Sequence, residues 1–315
     1  MLYLPKFLFP NKYYFMASFL LALFLDVIYP YHRGFLLKIH PVHTSFLMSQ
    51  RLYKPYSSRV RGLLIWILVV LSHLLIYTLL LYLSLLVSPI LWIIASAYII
   101  KTSFSYKLLY DIVKKVGESI KENDLISARS NVSQIVRRNV ENLDANHIAS
   151  AAIESLSESF VDSVLSPIFW LLLLGPIGSL IQRIINTLDG SLGFKDKEHL
   201  NVGYASAMTD TIINYIPARL SIIIIAISSF FTRNNIRNLL KVWKNFRKKT
   251  ESKNAGNPMS AMAGSLNISL EKIGEYKLGA GSLPSYNEVF KSLKIISLSY
   301  IILIVVTILT ILYIY

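Results

Sequence analysis

The chain has 315 residues, of which 54% are hydrophobic and only 16% charged, with a mean hydropathy of +0.50; this composition excludes an ordinary soluble enzyme. The 32 Lys and Arg outnumber the 18 Asp and Glu, for a formal charge of +14, but the cations flank long apolar runs, which points to an anionic membrane surface and not to nucleic acid. Cysteine is absent, which excludes disulfides, thiolate nucleophiles and cysteine-based metal sites.

The pattern predicts an all-α, polytopic integral membrane protein with four to six hydrophobic helices and large helical cytoplasmic loops. Pro5 and Pro10 interrupt the N-terminus, and no small-residue cleavage site follows the first apolar run, so a cleavable signal is not expected. Residues 13–29 are apolar apart from Asp26 and are barely long enough to span. A basic loop, 30–62, carries His40-Pro41-Val42-His43. Residues 63–100 contain no Lys, Arg, Asp or Glu and predict two helices that turn near Ser84 or Ser88-Pro89. From Lys101 to Asp162 charges of both signs return, with Leu108, Leu109, Ile112, Val113 and Val116 at helical spacing, which predicts a soluble helical segment.

The run 163–181 is apolar again but contains Pro167, Gly175-Pro176 and Gly178, breaks that membrane depth tolerates only beside protein or a water-filled cavity. Residues 182–211 are polar, and 212–231 are apolar with Pro217 and Arg219 inside. Between Arg233 and Lys253, Ile236, Leu239, Leu240, Trp243 and Phe246 share one helical face and Lys or Arg the other, the pattern of an amphipathic helix lying on a bilayer. Residues 295–315 are uncharged and form the clearest span. Four segments follow: 1–100, membrane hairpins with the HPV loop; 101–231, a central segment with acidic motifs and two broken membrane helices; 232–294, a basic loop; and 295–315, the terminal helix. Loops 30–62, 101–162 and 232–294 hold 26 of the 32 Lys and Arg, which places them on the cytoplasmic side and both termini outside. Broken or re-entrant helices at 163–181 and 212–231 bring every polar cluster to one side, the topology preferred here.

The chemistry-bearing residues concentrate between Ala151 and Arg219. Glu154, Glu158 and Asp162 stand at successive i+4 steps, with no Lys or Arg between Ala149 and Gln182. Like charges so spaced weaken a helix, so a cation should face them, and hard carboxylate oxygens suit Mg²⁺ carried in with a nucleotide. Asn186 and Asp189 lie in an NTLDG turn beside Gly190 and Gly193. Asp210 and Asn214, at i+4, precede the intramembrane Arg219, by default an ion-pair or functional site. The stretch NAGNPMSAMAG, Asn254–Gly264, predicts a helix capped by Asn257 with Pro258 at its first position and a flat, small-residue surface. His40 and His43 lack the context of a zinc site.

Together these motifs resemble the membrane-bound CobD/CbiB family, the adenosylcobinamide-phosphate synthases. The resemblance runs from about Leu25 to Leu270 through LDVIYP…HPV, AR…IVRR at Ala128–Arg138, AAIESLSESFVD…SPIFW, NTLDGSLGF, YASAMTD…NYIPARL and NAGNPMSAMAG. It implies ATP-dependent ligation of a propionate carboxylate of adenosylcobyric acid to aminopropanol or its phosphate. It also implies Mg²⁺, with ATP as co-substrate. Glu154, Glu158, Asp162, Asp189 and Asp210 are then candidates for metal ligands and base, with Glu154, Glu158 and Asp162 the first metal set. Arg219 and Arg138 are candidate cations; Arg129, Arg138, His40, Asn186, Asn214, Asn254 and Gly256 are candidate substrate or nucleotide contacts. The chain departs from the family pattern at Asn139-Val140, Ser159, Thr211 and Lys253.

Expected partners are the corrinoid, the amine and the lipid bilayer, with a homo-oligomer or other corrinoid-pathway enzymes as further partners and no nucleic acid. The location implied is the cell membrane. The competing reading is a non-catalytic transporter, corrinoid-binding or regulatory protein related to the synthases; ATP dependence separates it from a ligase.

Overall fold

The computed structural model describes residues 5–315. Helix α1, Lys12–Ile28, starts where the Asn11 side chain accepts the backbone N–H groups of Tyr13 and Tyr14. The first basic loop folds into α2, Gly34–Lys38, and α3, Pro41–Leu52, whose cap is His40: Nδ1 accepts from Val42 N–H, and Pro41 takes the first helical position. The expected hairpin is α4, Arg59–Val87, and α5, Pro89–Ser103. It turns at Ser88, whose hydroxyl caps α5 by accepting from Leu91 N–H. Next come α6, Lys107–Lys121, and α7, Leu125–Val132, with Leu109, Ile112, Val113 and Val116 buried as their spacing predicts.

Helix α8, Ala145–Phe160, runs without a loop into a π-helical turn, Val161–Leu165, and on into α9, Ser166–Leu192. The expected break in the apolar run falls at Gly175, where φ 67° and ψ −163° are accessible to glycine and essentially nothing else, just before Pro176. Beyond lie α10, Tyr204–Ile213; α11, Tyr215–Phe231; α12, Ile236–Phe246; and α13, Gly256–Leu266. An antiparallel hairpin of β1, Leu270–Lys272, and β2, Tyr276–Leu278, pairs Leu270 with Leu278, and α14, Tyr286–Tyr313, closes the chain.

The fold is that of a helical polytopic membrane protein. The helical stretches Arg59–Val87, Ala145–Leu192 and Tyr286–Tyr313 are long and apolar enough to cross, and α10 with α11, broken at Asn214, makes a fourth. With 17 and 15 residues, α1 and α5 fall short of the roughly 20 that cross a bilayer upright, so the helices long and apolar enough to cross number three, or four with the bent α10–α11 pair, among the described residues.

Two compact units share the chain. The first holds residues up to Ser105, Asp162–Ile213 and Val306–Tyr315; the second holds Tyr106–Val161 and Asn214–Val305. In the first, α1 packs on α5, while α3, α4, α5 and α10 pack on α9. In the second, α6, α7 and β1 cover α8, and α13 is packed by α8, α11 and α12.

Three local expectations are revised. The apolar face of α12 does not lie bare for a bilayer: Leu239 and Val242 are buried, and the helix packs on the flat surface that Ser260, Ala261, Ala263 and Gly264 give α13. Asn257 is not a cap. The helix already starts at Gly256, and the Asn257 side chain accepts from Trp243 Nε1 and donates to the carbonyls of Lys253 and Asn254. The regular stripe of Glu154, Glu158 and Asp162 is interrupted, because the π turn begins at Val161 and changes the ladder from i+4 to i+5 before Asp162.

Candidate functional site

In the second unit the polar centre is built on α8. Asp144 caps this helix by accepting from His147 N–H, and the small residues of its first turns bury its face. The loop between α7 and α8 is tied down at both ends. Ser155 donates to the Ile135 carbonyl at 2.8 Å, and Arg129 donates through Nε and Nη2 to the Leu143 carbonyl at 3.1 and 2.8 Å. Arg129, expected to contact substrate, is thus a strut of this loop.

The loop delivers Arg138 to Glu154, which is 5% exposed. Glu154 Oε1 accepts from Arg138 Nη2 at 3.2 Å and from the Ser150 hydroxyl at 2.6 Å; Oε2 accepts from the Tyr276 hydroxyl at 2.7 Å. Burial, followed by the Glu154 charge and hydrogen bond and the Glu158 charge, pushes the Tyr276 phenol well above its ordinary range, so it stays a donor. Arg138 Nε is buried and makes no hydrogen bond among the described residues, which leaves one guanidinium donor for an anionic group. Glu158 lies one turn beyond Glu154 on α8 and is half-buried.

Elsewhere in this unit, the Arg219 guanidinium lies 3.4 Å from the centre of the Tyr215 ring and donates to the Tyr215 carbonyl at 2.7 Å and to Asn254 Oδ1 at 3.0 Å. Asn254 and Asn214 are buried. Gly256 is explained by packing alone: a Cβ there would lie 2.2 Å from the Arg247 carbonyl oxygen.

The first unit gathers a second set of polar groups. Arg183 on α9 donates to the Ser163 hydroxyl at 3.0 Å and to Asn186 Oδ1 at 3.3 Å, and Asn186 Nδ2 donates to Asp210 Oδ1 at 3.2 Å. The charge of Asp162 acts on Arg183. Asp189 folds back, so that a Cβ on Gly193 would meet its Oδ1 at 2.0 Å. Lys101 of α5 donates to Asp26 of α1 at 3.3 Å, with both side chains at most 5% exposed. His40 is half-buried: desolvation, then the charges of His32, Arg183, Lys101 and His43, push its pKa down to about 3, so it is a neutral ring at neutral pH.

Asp26, Lys101, Arg183, Ser150 and Tyr276 escaped the sequence reading as site residues. A lone Asp in an apolar run carries a signal, because intramembrane charge is costly without a partner. Tyr276 carries none, since a tyrosine in a short strand is ordinary.

The donor sets differ in their fit to Mg²⁺. The two Glu154 oxygens together already accept from three donors, which suits an orienting carboxylate better than a metal ligand. Asp162, Asn186, Asp189 and Asp210 carry hard oxygens of the chemical kind Mg²⁺ takes, of which Asn186 Oδ1 and Asp210 Oδ1 each accept a hydrogen bond here. Among the described residues, three His, Asp or Glu groups with ligand atoms within 4.8 Å of one another occur at Asp196, Glu198 and His199, outside both expected sets.

Comparison with known proteins decides the family. The model of the CobD/Cbib protein family matches residues 19–300. The chain belongs to the CobD/CbiB family. It is 38% identical over 294 residues to a protein of Aeropyrum pernix called probable cobalamin biosynthesis protein CobD, covering 93% of this chain and 92% of that one. Proteins of the same name from Thermoplasma volcanium and Thermoplasma acidophilum are 36% and 37% identical, covering 92% and 87% of this chain and 96% and 90% of theirs. No solved structure matches. The CobD/CbiB match includes every residue of both polar centres, Asp26 and Lys101 with the rest.

Proposed function

We propose that this CobD/CbiB protein acts in cobalamin biosynthesis as an ATP-dependent amide ligase, joining a propionate carboxylate of adenosylcobyric acid to aminopropanol or its phosphate. The observation that carries the chemistry is the Arg138–Glu154 pair. Glu154, held by Ser150 and Tyr276, fixes a guanidinium whose buried Nε has no hydrogen-bond partner, a ready donor for a carboxylate or phosphate.

A carboxylate is a poor electrophile, so it must be activated. Its oxygen attacks the γ-phosphorus of ATP, the bond to the bridging oxygen breaks, and ADP leaves, giving an acyl phosphate. The amine nitrogen attacks the carbonyl carbon, phosphate departs with the bonding pair, and a carboxylate takes the proton from nitrogen. Glu158, half-buried and one turn from Glu154, is the base in this reading. Arg138 balances the charge that develops on oxygen. Within the first unit, Asp162, Asn186, Asp189 and Asp210 would offer hard oxygens to Mg²⁺ carried in with a nucleotide, and Arg183 would offer a cation to its phosphates. The protein works in the cell membrane as a multi-pass enzyme, with its basic loops in the cytoplasm.

The test is mass spectrometry of products formed by detergent-purified full-length protein with adenosylcobyric acid, Mg-ATP and each amine in turn. One amine should yield an ATP-dependent amide, and Arg138→Ala should lower kcat/KM by about 100-fold. No product with either amine, from folded protein that binds corrinoid, contradicts the proposal.

A further inference from the structure

Helix α12 follows α11 after four residues, and its place in the second unit is fixed by hydrogen bonds. Ser228, near the end of α11, accepts from the Ser299 hydroxyl of α14 at 2.8 Å, and Ser229 shares a 2.7 Å hydrogen bond with Ser265 of α13. Charged residues on α14 end at Lys294, and its uncharged run begins at Ile295. Ser299 therefore stands about 6 Å inside the apolar stretch at 1.5 Å per residue. Ser228 thus stands beside the start of the uncharged run of α14, Phe230 and Phe231 are exposed just beyond it, and α12 begins at Ile236.

The face that α12 turns to α13 is used up. Leu239 and Val242 are buried, Trp243 Nε1 donates to Asn257 Oδ1 at 3.0 Å, and Asn238 Nδ2 donates to the Gly264 carbonyl at 2.8 Å. The opposite face of α12 carries Arg237, Lys241 and Lys244, all exposed, with exposed Arg233 in the turn before the helix and exposed Lys248 just after it. None of these five forms an ion pair among the described residues, and no Asp or Glu occurs from Thr211 to Thr250. Leu240, 48% exposed, lies among them.

We propose that this cationic face of α12 docks on anionic lipid headgroups at the membrane surface. The helix binds through its charged side and not by burying an apolar face, so the contact is electrostatic and salt-sensitive. Three features point to the lipid: the uncompensated cations, the short chain distance from them to the apolar end of α11, and the occupied apolar face; cations within a Debye length of about 10 Å at 0.1 M salt are drawn to an anionic surface. Anionic lipid in this way holds the α12–α13 pair against the bilayer.

The absence of native cysteine allows a direct test on the full chain. Asn245→Cys, on the same exposed face, is labelled with a solvatochromic dye and reconstituted in nanodiscs of phosphatidylcholine alone or mixed with phosphatidylglycerol. The expected result is a blue shift in the anionic discs that high salt reverses. The combined Arg237→Glu, Lys241→Glu and Lys244→Glu variant should lose it while melting like the parent; if that variant fails to fold, the two lipids compared on the parent chain still decide. Equal emission in both discs overturns the proposal. A shift in phosphatidylcholine discs on adding RNA or an acidic protein, with none from anionic lipid, also overturns it and gives the face to a soluble partner.

Discussion

Glu154 accepts three hydrogen bonds while nearly excluded from solvent, so its neighbours depend on its charge. Glu154→Gln removes that charge from beside Arg138 and is expected to destabilise the protein by about 3–5 kcal/mol, read from unfolding in detergent. Tyr276→Phe removes one donor and should cost about 1 kcal/mol. The Asp26–Lys101 pair gives the same contrast in the interior of the first unit. Asp26→Leu alone leaves a buried ammonium without its carboxylate, whereas Asp26→Leu with Lys101→Met removes both charges. The double variant should therefore be more stable than either single one, and additive losses would deny the coupling. At His40 the sign is set by its depressed pKa. Folded protein binds this proton only near pH 3, the unfolded chain near 6.5, so the stabilisation is complete above 6.5 and is lost as pH falls through that window. His40→Asn keeps the cap acceptor of α3 and should flatten part of the loss of melting temperature between pH 6.5 and 4. An unchanged slope would remove His40 from the account.

At the scale of elements, the breaks carry the most specific expectations. Gly175 has a backbone conformation closed to other residues, and a Cβ there would sit 3.0 Å from the Leu8 carbonyl oxygen, so Gly175→Ala should cost about 1–3 kcal/mol. A Cβ on Gly264 would come within 2.7 Å of the Leu239 Cα, so Gly264→Ala should loosen α12 from α13 and speed proteolysis within α12. Some of this was legible in the chain, and the reason is local. Ser88-Pro89 and Gly175-Pro176 announce a turn and a break because proline and glycine restrict or release the backbone wherever they stand. The amphipathic pattern of α12 showed that a face must be covered, but periodicity does not say whether lipid or α13 covers it. The misread role of Asn257 has the same origin, since its amide is engaged by Trp243 from a neighbouring helix. The π turn at Val161 has no sequence mark.

At the scale of the whole molecule, composition and hydropathy were enough to specify a helical membrane protein, and six ordered motifs its family. The polar centres were only half legible. Glu154, Asp189 and Asp210 lie within motifs, but Lys101 meets Asp26 across 75 residues of sequence and Tyr276 meets Glu154 across 122, separations that no local pattern encodes. The charge distribution sets the expected topology. Lys197→Cys, exposed in the segment between α9 and α10, should react with an impermeant maleimide from the cytoplasmic side; labelling only from outside would contradict helices 163–181 and 212–231 that return to one face.

The central claim is that ATP activates the corrinoid carboxylate before the amine attacks. It is tested most directly by supplying corrinoid whose propionate carboxylate carries heavy oxygen and analysing both products by mass spectrometry. Activation as an acyl phosphate predicts one heavy oxygen transferred to inorganic phosphate for each amide formed, with the other retained in the amide carbonyl. Amide formed with no label in the phosphate would contradict the account.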